Sequence, residues 1–542
     1  MMNRNMRTPR LAAIAFALGA MGIAGAAFAQ EAKKEKSAVE TAIENLVNGF
    51  YGTLDVSIDD ATKGMGSMTA YHISNGGLGY TLDYTNPKGA FVPYGRVGYQ
   101  PDISTNKSGL GWRGSHAIAG TDTKFVVQIE ASVGLTASPG VRTSYTAQTS
   151  GVSGTIGMGT TYVGFAGKDW GAVKIGTTSA PYAKATDRMN PFSGMLGDYS
   201  TVMGNSGGDN RVEFGTSLEH SIWYESPKMD GFSFDFLFSP GQNRTPDNVI
   251  ASAGSSNCNG GNVPGSGNLL LRCDDGGFDN AFSLAFKFET KQLYVTAAYE
   301  LHKNVNRNSD GIGSGAPQYA ALMGLGDGGS ALLDWATYDF VGTAYGATGS
   351  CATAPSSTTY YCANATPGFI GDIGDEAAYK VGAQYIFDFG LTVSGIVERM
   401  TRKIPASLAF QNERQRNGYW LALSQEIDAD SNVSFGWAHA GKTPGDPGGQ
   451  HNYDPGNTNN TADMFTLAYK RKLDKQLYWY VNAAETFNHG NAHYDLGAGS
   501  HGVKTDCHDG TSSPIIDYTS AGNTTWGGCK PIGLSVGVNY KF

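Results

Sequence analysis

From residue 49 to the last residue, apolar and polar side chains alternate with a period of two, and the joins between the alternating runs switch between short and long. The runs fall near 50–58, 108–116, 122–134, 160–166, 170–177, 218–225, 231–239, 279–289, 291–302, 376–386, 389–400, 416–427, 431–440, 462–472, 475–487 and 531–542. The short joins read Ala119-Gly120-Thr121-Asp122, Gly167-Lys168-Asp169-Trp170, Pro227-Lys228-Met229-Asp230, Glu289-Thr290-Lys291, Asp388-Phe389-Gly390, Asp428-Ala429-Asp430 and Leu473-Asp474-Lys475. The long joins (60–106, 135–158, 178–216, 240–278, 303–375, 402–415, 441–460 and 488–530) are rich in Gly, Asn, Ser and Asp. Period two places alternate residues on opposite faces of a strand. A soluble sandwich has no reason to keep one rim short and the other long through every cycle. A barrel spanning a bilayer does, with a periplasmic and an extracellular rim. The pattern therefore predicts an all-β fold: a transmembrane antiparallel β-barrel of about sixteen strands with long extracellular loops.

The final run sharpens this. Leu534, Val536, Val538, Tyr540 and Phe542 share one face and Ser535, Gly537, Asn539 and Lys541 the other. Lipid on one side and a wet lumen on the other account for such a strand, and its terminal ring suits an interface. Phe542 is expected to end the strand that closes the ring against Phe50–Ile58.

The start of the chain predicts a secretory signal over residues 1–29. Arg4, Arg7 and Arg10 precede an apolar stretch from Leu11 to Ala24, and Ala27-Phe28-Ala29 gives the A-x-A site, with cleavage expected after Ala29. Nothing later approaches the run of about 20 apolar residues that a spanning helix needs. Without the signal the chain carries 36 Lys+Arg against 48 Asp+Glu, a charge of −12, which argues against nucleic acid as a partner. Charged residues are 16% of the chain, below the roughly 25% of ordinary soluble domains. Residues 30–48 form the one convincing helical pattern, with Val39, Ile43, Leu46 and Phe50 in an a/d-like seam. It reads either as a solvated periplasmic lead-in or as a brief coiled coil between protomers. The barrel domain then occupies 49–542.

All six cysteines lie in long loops, two to a loop, which favours the pairs Cys258–Cys273, Cys351–Cys362 and Cys507–Cys529 as loop staples among fifteen possible connectivities. No zinc spacing is present. Gly324, Gly326 and Gly329 fit G-x-G-x-x-G, and residues 204–208 fit G-x-S-x-G, but neither sits in the strand–turn–helix context that would give it chemistry. His451, His489, His493, His501 and His508, and the acidic residues Asp506, Asp509 and Asp517, read as solvated loop groups. No catalytic set, metal site or cofactor is expected, and the chain does not read as an enzyme.

Several segments resemble the general porins of Gram-negative bacteria, the trimeric sixteen-stranded family typified by neisserial and burkholderial porins. They are Phe50-Tyr51-Gly52-Thr53-Leu54-Asp55, Ser108 to Gly114, Lys124 to Glu130 (KFVVQIE), Tyr162-Val163-Gly164-Phe165, Trp170 to Gly176, and Ser221 to Phe232 (SIWYESPKMDGF). The resemblance implies a homotrimer in the outer membrane, in contact with its lipid and lipopolysaccharide, forming a water-filled channel for passive diffusion of small hydrophilic solutes and ions. It also implies that the loop at 178–216 folds into the lumen as a constriction, with Asp187, Arg188, Asp198, Asp209, Arg211 and Glu213 supplying charge. Strand parity places Arg113, Lys124, Gln128, Glu130 and Lys174 on the facing wall, since a cation on the lipid face near the midplane costs about 2–4 kcal/mol. Thr177 and Trp223 stand where relatives often carry a lumen arginine, so the basic wall is expected to be thinner and the channel weakly cation-preferring. A substrate-selective channel, for sugars or small organic solutes, and a barrel-type adhesin are the alternatives.

Overall fold

The computed structural model describes residues 48–62, 72–76, 79–83, 100–136, 156–204, 214–240, 278–306, 373–403, 415–442, 459, 461–489, 492, 494, 496 and 530–542. The expected signal, the lead-in up to residue 47, all six cysteines and Asp209, Arg211 and Glu213 lie outside them.

The chain runs through β1 (Phe50–Thr62), a small separate ribbon of β2 (His72–Gly76) and β3 (Gly79–Asp83), then β4 (Gln100–Thr105), β5 (Gly109–Ala117) and β6 (Thr123–Val133). Next come β7 (Ile156–Met158), β8 (Thr161–Gly167), β9 (Gly171–Ser179), a one-turn helix α1 (Pro181–Lys184), β10 (Ser217–Glu225) and β11 (Phe232–Pro240). The remainder is strand: β12 (Asn280–Glu289), β13 (Leu293–Asn306), β14 (Ile373–Ile386), β15 (Leu391–Arg402), β16 (Arg416–Glu426), β17 (Ser431–Ala440), β18 (Ala462–Lys472), β19 (Leu477–Asn488) and β20 (Ile532–Lys541).

These make sixteen walls of one closed antiparallel barrel. β4 and β5 form a single wall, because both pair with β1, on either side of Asn106–Ser108. β7 and β8 likewise both pair with β6. β1 meets β20 in register from Thr53↔Lys541 to Thr62↔Ile532, which closes the ring. Gly52 and Phe542 complete the seam by exchanging both backbone hydrogen bonds, at 3.0 and 3.1 Å. Fifteen of the sixteen expected runs coincide with these walls to within a few residues at their ends, where period-two patterns carry least information; the run at 108–116 matches β5 alone, and β4 lies in the stretch 60–106 expected as a long join.

The two faces follow the parity of the sequence. On β1, Asp55, Ser57 and Asp59 are buried, while Ile58 is exposed on the outer face. The outer surface is apolar and aromatic, as a surface in contact with lipid requires. Across β11 and β12, Phe232 faces Phe288 at 4.6 Å, Phe234 faces Phe286 at 6.1 Å and Phe238 faces Phe282 at 5.0 Å. Such cross-strand pairs contribute about 0.2–1 kcal/mol each. At the short-turn rim Tyr385, Phe387 and Phe389 pack ring to ring in a row, the first pair edge to face, the composition of an interfacial girdle.

The lumen face is not uniformly polar. From β16 to β19 it carries Trp420, Ala422, Ala438, Ala440, Ala462, Met464, Ala468 and Tyr480, all buried. An apolar stretch facing water would be unfavourable, so something covers it. The cover is the chain that follows β9.

Candidate functional site

Residues 180–204 leave the end of β9, enter the barrel and lie against its inner wall. The apolar residues of this segment (Met189, Phe192, Met195, Leu196, Val202 and Met203) are all buried. Most of them join one cluster with the β16–β19 bed, where Phe192 and Tyr199 pack on Trp420 at 6.0 and 5.2 Å. Burying a side chain of this size is worth about 1.5–3 kcal/mol, enough to hold a short-helical segment that could not fold alone.

Polar contacts fix where along the wall the loop sits. Ser283 on β12 accepts the Tyr182 backbone N–H at 3.0 Å, and Tyr294 on β13 donates to the Ala185 carbonyl at 2.8 Å. Gln384 on β14 both accepts from Arg188 Nε (3.0 Å) and donates to the Arg188 carbonyl (3.1 Å). Trp420 Nε1 donates to the Met189 carbonyl at 3.0 Å, Thr466 Oγ1 to Gly197 at 2.9 Å, and Asn482 Nδ2 to Leu196 at 2.8 Å. Lys470 and Arg416 donate to the carbonyls of Pro191 and Val202.

Glu398 on β15 is the tightest fastener. It is 2% exposed, accepts the Tyr182 hydroxyl at 2.6 Å on one oxygen and accepts the Gly204 N–H at 2.8 Å on the other. It thereby clamps the outgoing and returning legs of the loop together. Burial, and then the Glu398 charge, push the Tyr182 phenol far above its ordinary range, so it stays a donor. Beside it Lys380 lies over the Tyr182 ring at 3.9 Å and donates to Thr186 Oγ1 at 2.8 Å.

The expected loop residues take different places. Asp187 and Arg188 are exposed within the lumen. Arg188 pairs with Glu289 at 2.6 Å and stacks over Tyr294 at 4.5 Å, whereas Asp187 has no ion-pair partner within 4.0 Å among the described residues. Although water reaches Asp187, the barrel wall surrounds it at longer range. This desolvation raises its carboxyl pKa against the opposing pull of Lys107 and Lys380. Asp198 is 3% exposed and turns inward on the loop itself, accepting from Asn190 Nδ2, Gly194 N, Ser200 N and Ser200 Oγ at 2.7–3.1 Å. Its carboxylate shapes the loop rather than facing the passage, because each oxygen is already occupied by internal donors.

The wall residues gather on the arc from β5 to β9. Arg113 lies over the Tyr51 ring at 5.2 Å, and Tyr51 donates to Glu130 at 2.8 Å. Gln128 accepts from Tyr162 at 3.4 Å. Lys174 lies over Tyr162 at 4.6 Å and pairs with Glu225 at 2.6 Å. Lys124 is exposed, in register with Ala117 and Ala166. Further along, Lys287 pairs with Asp235 at 2.5 Å. Burial lowers the pKa of Lys184, against the pull of Glu225, and Lys184 lies over the Trp223 ring at 5.8 Å.

Thr177 requires a correction. It pairs with Thr161 in the row of Val163 and Ile175, both exposed on the outer face, so it is not a lumen position. Trp223 does face inward and is 2% exposed. Missed entirely were Glu398, Tyr182, Lys380, Trp420 and the alanine bed. The available signal was alanine on the lumen parity of β16–β19, where a wet wall would carry polar groups.

The arrangement is one of paired charges, amides and phenols around a lumen narrowed from one side by a loop. It can pass and sort hydrated solutes by size and charge. Among the described residues no cluster of metal-ligating groups occurs.

Comparison with solved structures gives the same architecture. The anion-selective porin from Comamonas acidovorans aligns over 91% of this chain and 98% of its own, with a TM-score of 0.51 and 15% identity. The Salmonella typhi OmpF complex with daunomycin aligns over 91% and 97%, with a TM-score of 0.46 and 13% identity. The OmpT outer-membrane protein of Vibrio cholerae aligns over 91% and 96%, at 0.45 and 9%. At such identities the first likeness shows the fold alone. No curated protein sequence matches the chain. The Gram-negative porin family, however, matches residues 11–327, more than half of the sequence. The chain belongs to the Gram-negative porin family, and it forms an outer-membrane pore for passive diffusion.

Proposed function

We propose that the loop at 178–216 is the constriction of this pore, and that small hydrophilic solutes and ions pass between it and the arc of Arg113, Lys124, Gln128, Glu130 and Lys174. The observation that carries this reading is the one-sided docking of residues 180–204. Their hydrogen bonds to the strands run from β12 to β19; beyond that arc Lys107 donates to Ser193, Lys184 lies against Trp223 and Glu225 of β10, and Leu196 packs near Ala61 of β1. Asp187 and Arg188, with Asp209, Arg211 and Glu213 from the same loop, supply its charge. Asp187 on the loop faces a lumen whose other side carries Arg113 and Lys124, a disposition that sets up a transverse field. With a mature charge of −12, the pore is weakly cation-preferring. Reversal potentials across a KCl gradient in planar bilayers test this, and clear anion preference overturns it.

The working unit is a homotrimer made after signal removal at Ala29, with the loops stapled by Cys258–Cys273, Cys351–Cys362 and Cys507–Cys529. Conductance steps grouped in threes support the trimer. A solute flux that falls smoothly with solute mass in liposome swelling supports general diffusion. A single saturable solute would instead select the substrate-specific channel.

A further inference from the structure

Most charges on the lumen side of this barrel already hold a partner. Glu225 takes Lys174 at 2.6 Å, Asp235 takes Lys287 at 2.5 Å, and Glu289 takes Arg188 at 2.6 Å and Lys228 at 3.0 Å. Asp198 and Glu398 are filled by donors of the loop itself. A charge held this closely offers little to a passing solute, because the solute must first displace the partner. Two groups on the lumen loop differ. Asp187 is exposed and, among the described residues, its carboxylate makes neither an ion pair within 4.0 Å nor a hydrogen bond. Lys184, three residues before it, makes one loose ionic contact, to Glu225 Oε1 at 3.9 Å.

The wall explains why Lys184 stays loose. Glu225 has Oε2 on Lys174, and its Oε1 accepts from Trp223 Nε1 at 2.9 Å, so Lys184 comes third to a carboxylate whose oxygens both hold closer donors. Its ammonium lies over the Trp223 ring at 5.8 Å, its side chain is 33% exposed, and its three N–H donors are largely unused. The local backbone sets Lys184 beside Asp187. α1 and the bonds from Ala185 N to the Pro181 carbonyl and from Thr186 N to the Ala183 carbonyl coil this stretch, so the two residues are neighbours about one turn apart. The Lys184 charge therefore acts on Asp187 through space without closing on it. Arg113 and Lys124 also lack an ion pair among the described residues, but they stand on β5 and β6, away from the loop. A cation and an anion side by side, neither satisfied by the other, present a fixed dipole. A simple cation or anion meets one end of it, and an uncharged solute meets neither. A molecule with an ammonium and a carboxylate on one carbon is complementary to both.

We propose that Lys184 and Asp187 form a recognition site for small zwitterions of the α-amino acid class. The solute's carboxylate sits on the Lys184 ammonium and its ammonium on the Asp187 carboxylate. The proposal rests on the reading of 178–216 as the constriction and adds the class of solute which that constriction favours. Lys174 and Lys287 are held by Glu225 and Asp235, so the site offers one pole of each sign rather than a run of cations.

Liposome swelling with the full-length protein tests it, using alanine and lactamide. These are isomers of equal mass, one a zwitterion and the other uncharged. Both solutes pass the same opening, so the ratio of their rates cancels any change of bore in a variant. The wild type should admit alanine about threefold faster than lactamide or more, the effect of two exposed charge contacts. Asp187→Asn and Lys184→Gln should each bring the ratio close to one. Asp187→Glu, which keeps the charge, should preserve it, and this separates loss of charge from loss of fold. A wild-type ratio of one with free entry of lactamide overturns the zwitterion site and leaves the pore standing. Exclusion of both solutes overturns the reading of the pore, and the site with it. Loss of the preference in Lys184→Gln but not in Asp187→Asn would mark an anion site, and the converse a cation site; either overturns the proposal.

Discussion

Replacing Glu398 with alanine removes the clamp between the two legs of the lumen loop. Two buried donors lose an ionised acceptor: the Tyr182 hydroxyl at 2.6 Å and the Gly204 N–H at 2.8 Å. Hydrogen bonds to charged groups contribute about 1.5–3 kcal/mol each, so loop docking should weaken by roughly 3–6 kcal/mol before relaxation. Even the lower figure shifts a local docked-to-undocked equilibrium by about a hundredfold or more. The loop would not leave the barrel, because Tyr294, Trp420, Thr466 and Asn482 still hold Ala185, Met189, Gly197 and Leu196. The expected result in single-channel recordings is therefore flicker: a broadened conductance histogram and greater open-channel noise. Glu398→Gln keeps one acceptor oxygen and should fall between. The barrel itself should be unchanged in heat-modifiable gel mobility, since the β14–β15–β16 ladders do not involve this side chain. A Glu398→Ala channel with wild-type conductance, noise and protease resistance of the loop would refute the clamp.

Asp187→Asn should remove a lumen charge and reduce cation preference at neutral pH, read from reversal potentials. Because its carboxyl pKa is raised, the wild type should lose the same share of selectivity on acidification before carboxylates in the ordinary range near 3.9, and the variant should not. The sign for stability follows: folding favours the protonated form, so any contribution is present at low pH and lost as pH rises through the raised pKa. Gly197→Ala should disturb the loop, since φ is +73° and a Cβ would meet Thr466 Oγ1 at 2.1 Å; altered conductance without loss of the folded barrel is expected. Deleting Phe542 removes both seam hydrogen bonds to Gly52 and the ring stacked on Tyr540 at 5.8 Å. A loss of about 2–4 kcal/mol at the closure should appear as a lower urea midpoint of the folded barrel.

The sequence by itself determined the walls, their order and their two faces. Parity does this locally: a one-residue slip would turn Asp55 and Asp59 toward lipid and Ile58 toward water, so the register of β1 is written in its own side chains. Closure by the last strand was legible for the same reason. The tertiary structure alone decided how the lumen is furnished. That Glu398 meets Tyr182, or that the loop lies on Trp420 and the alanines of β16–β19, depends on contacts across hundreds of residues, to which periodicity is blind. Asp198 and Thr177 show the same limit at single positions. A charge in a loop cannot reveal whether its partners are water or its own backbone, and a threonine carries too little polarity to declare its face. Lipid and water sort side chains strand by strand; only packing between strands sorts the loop.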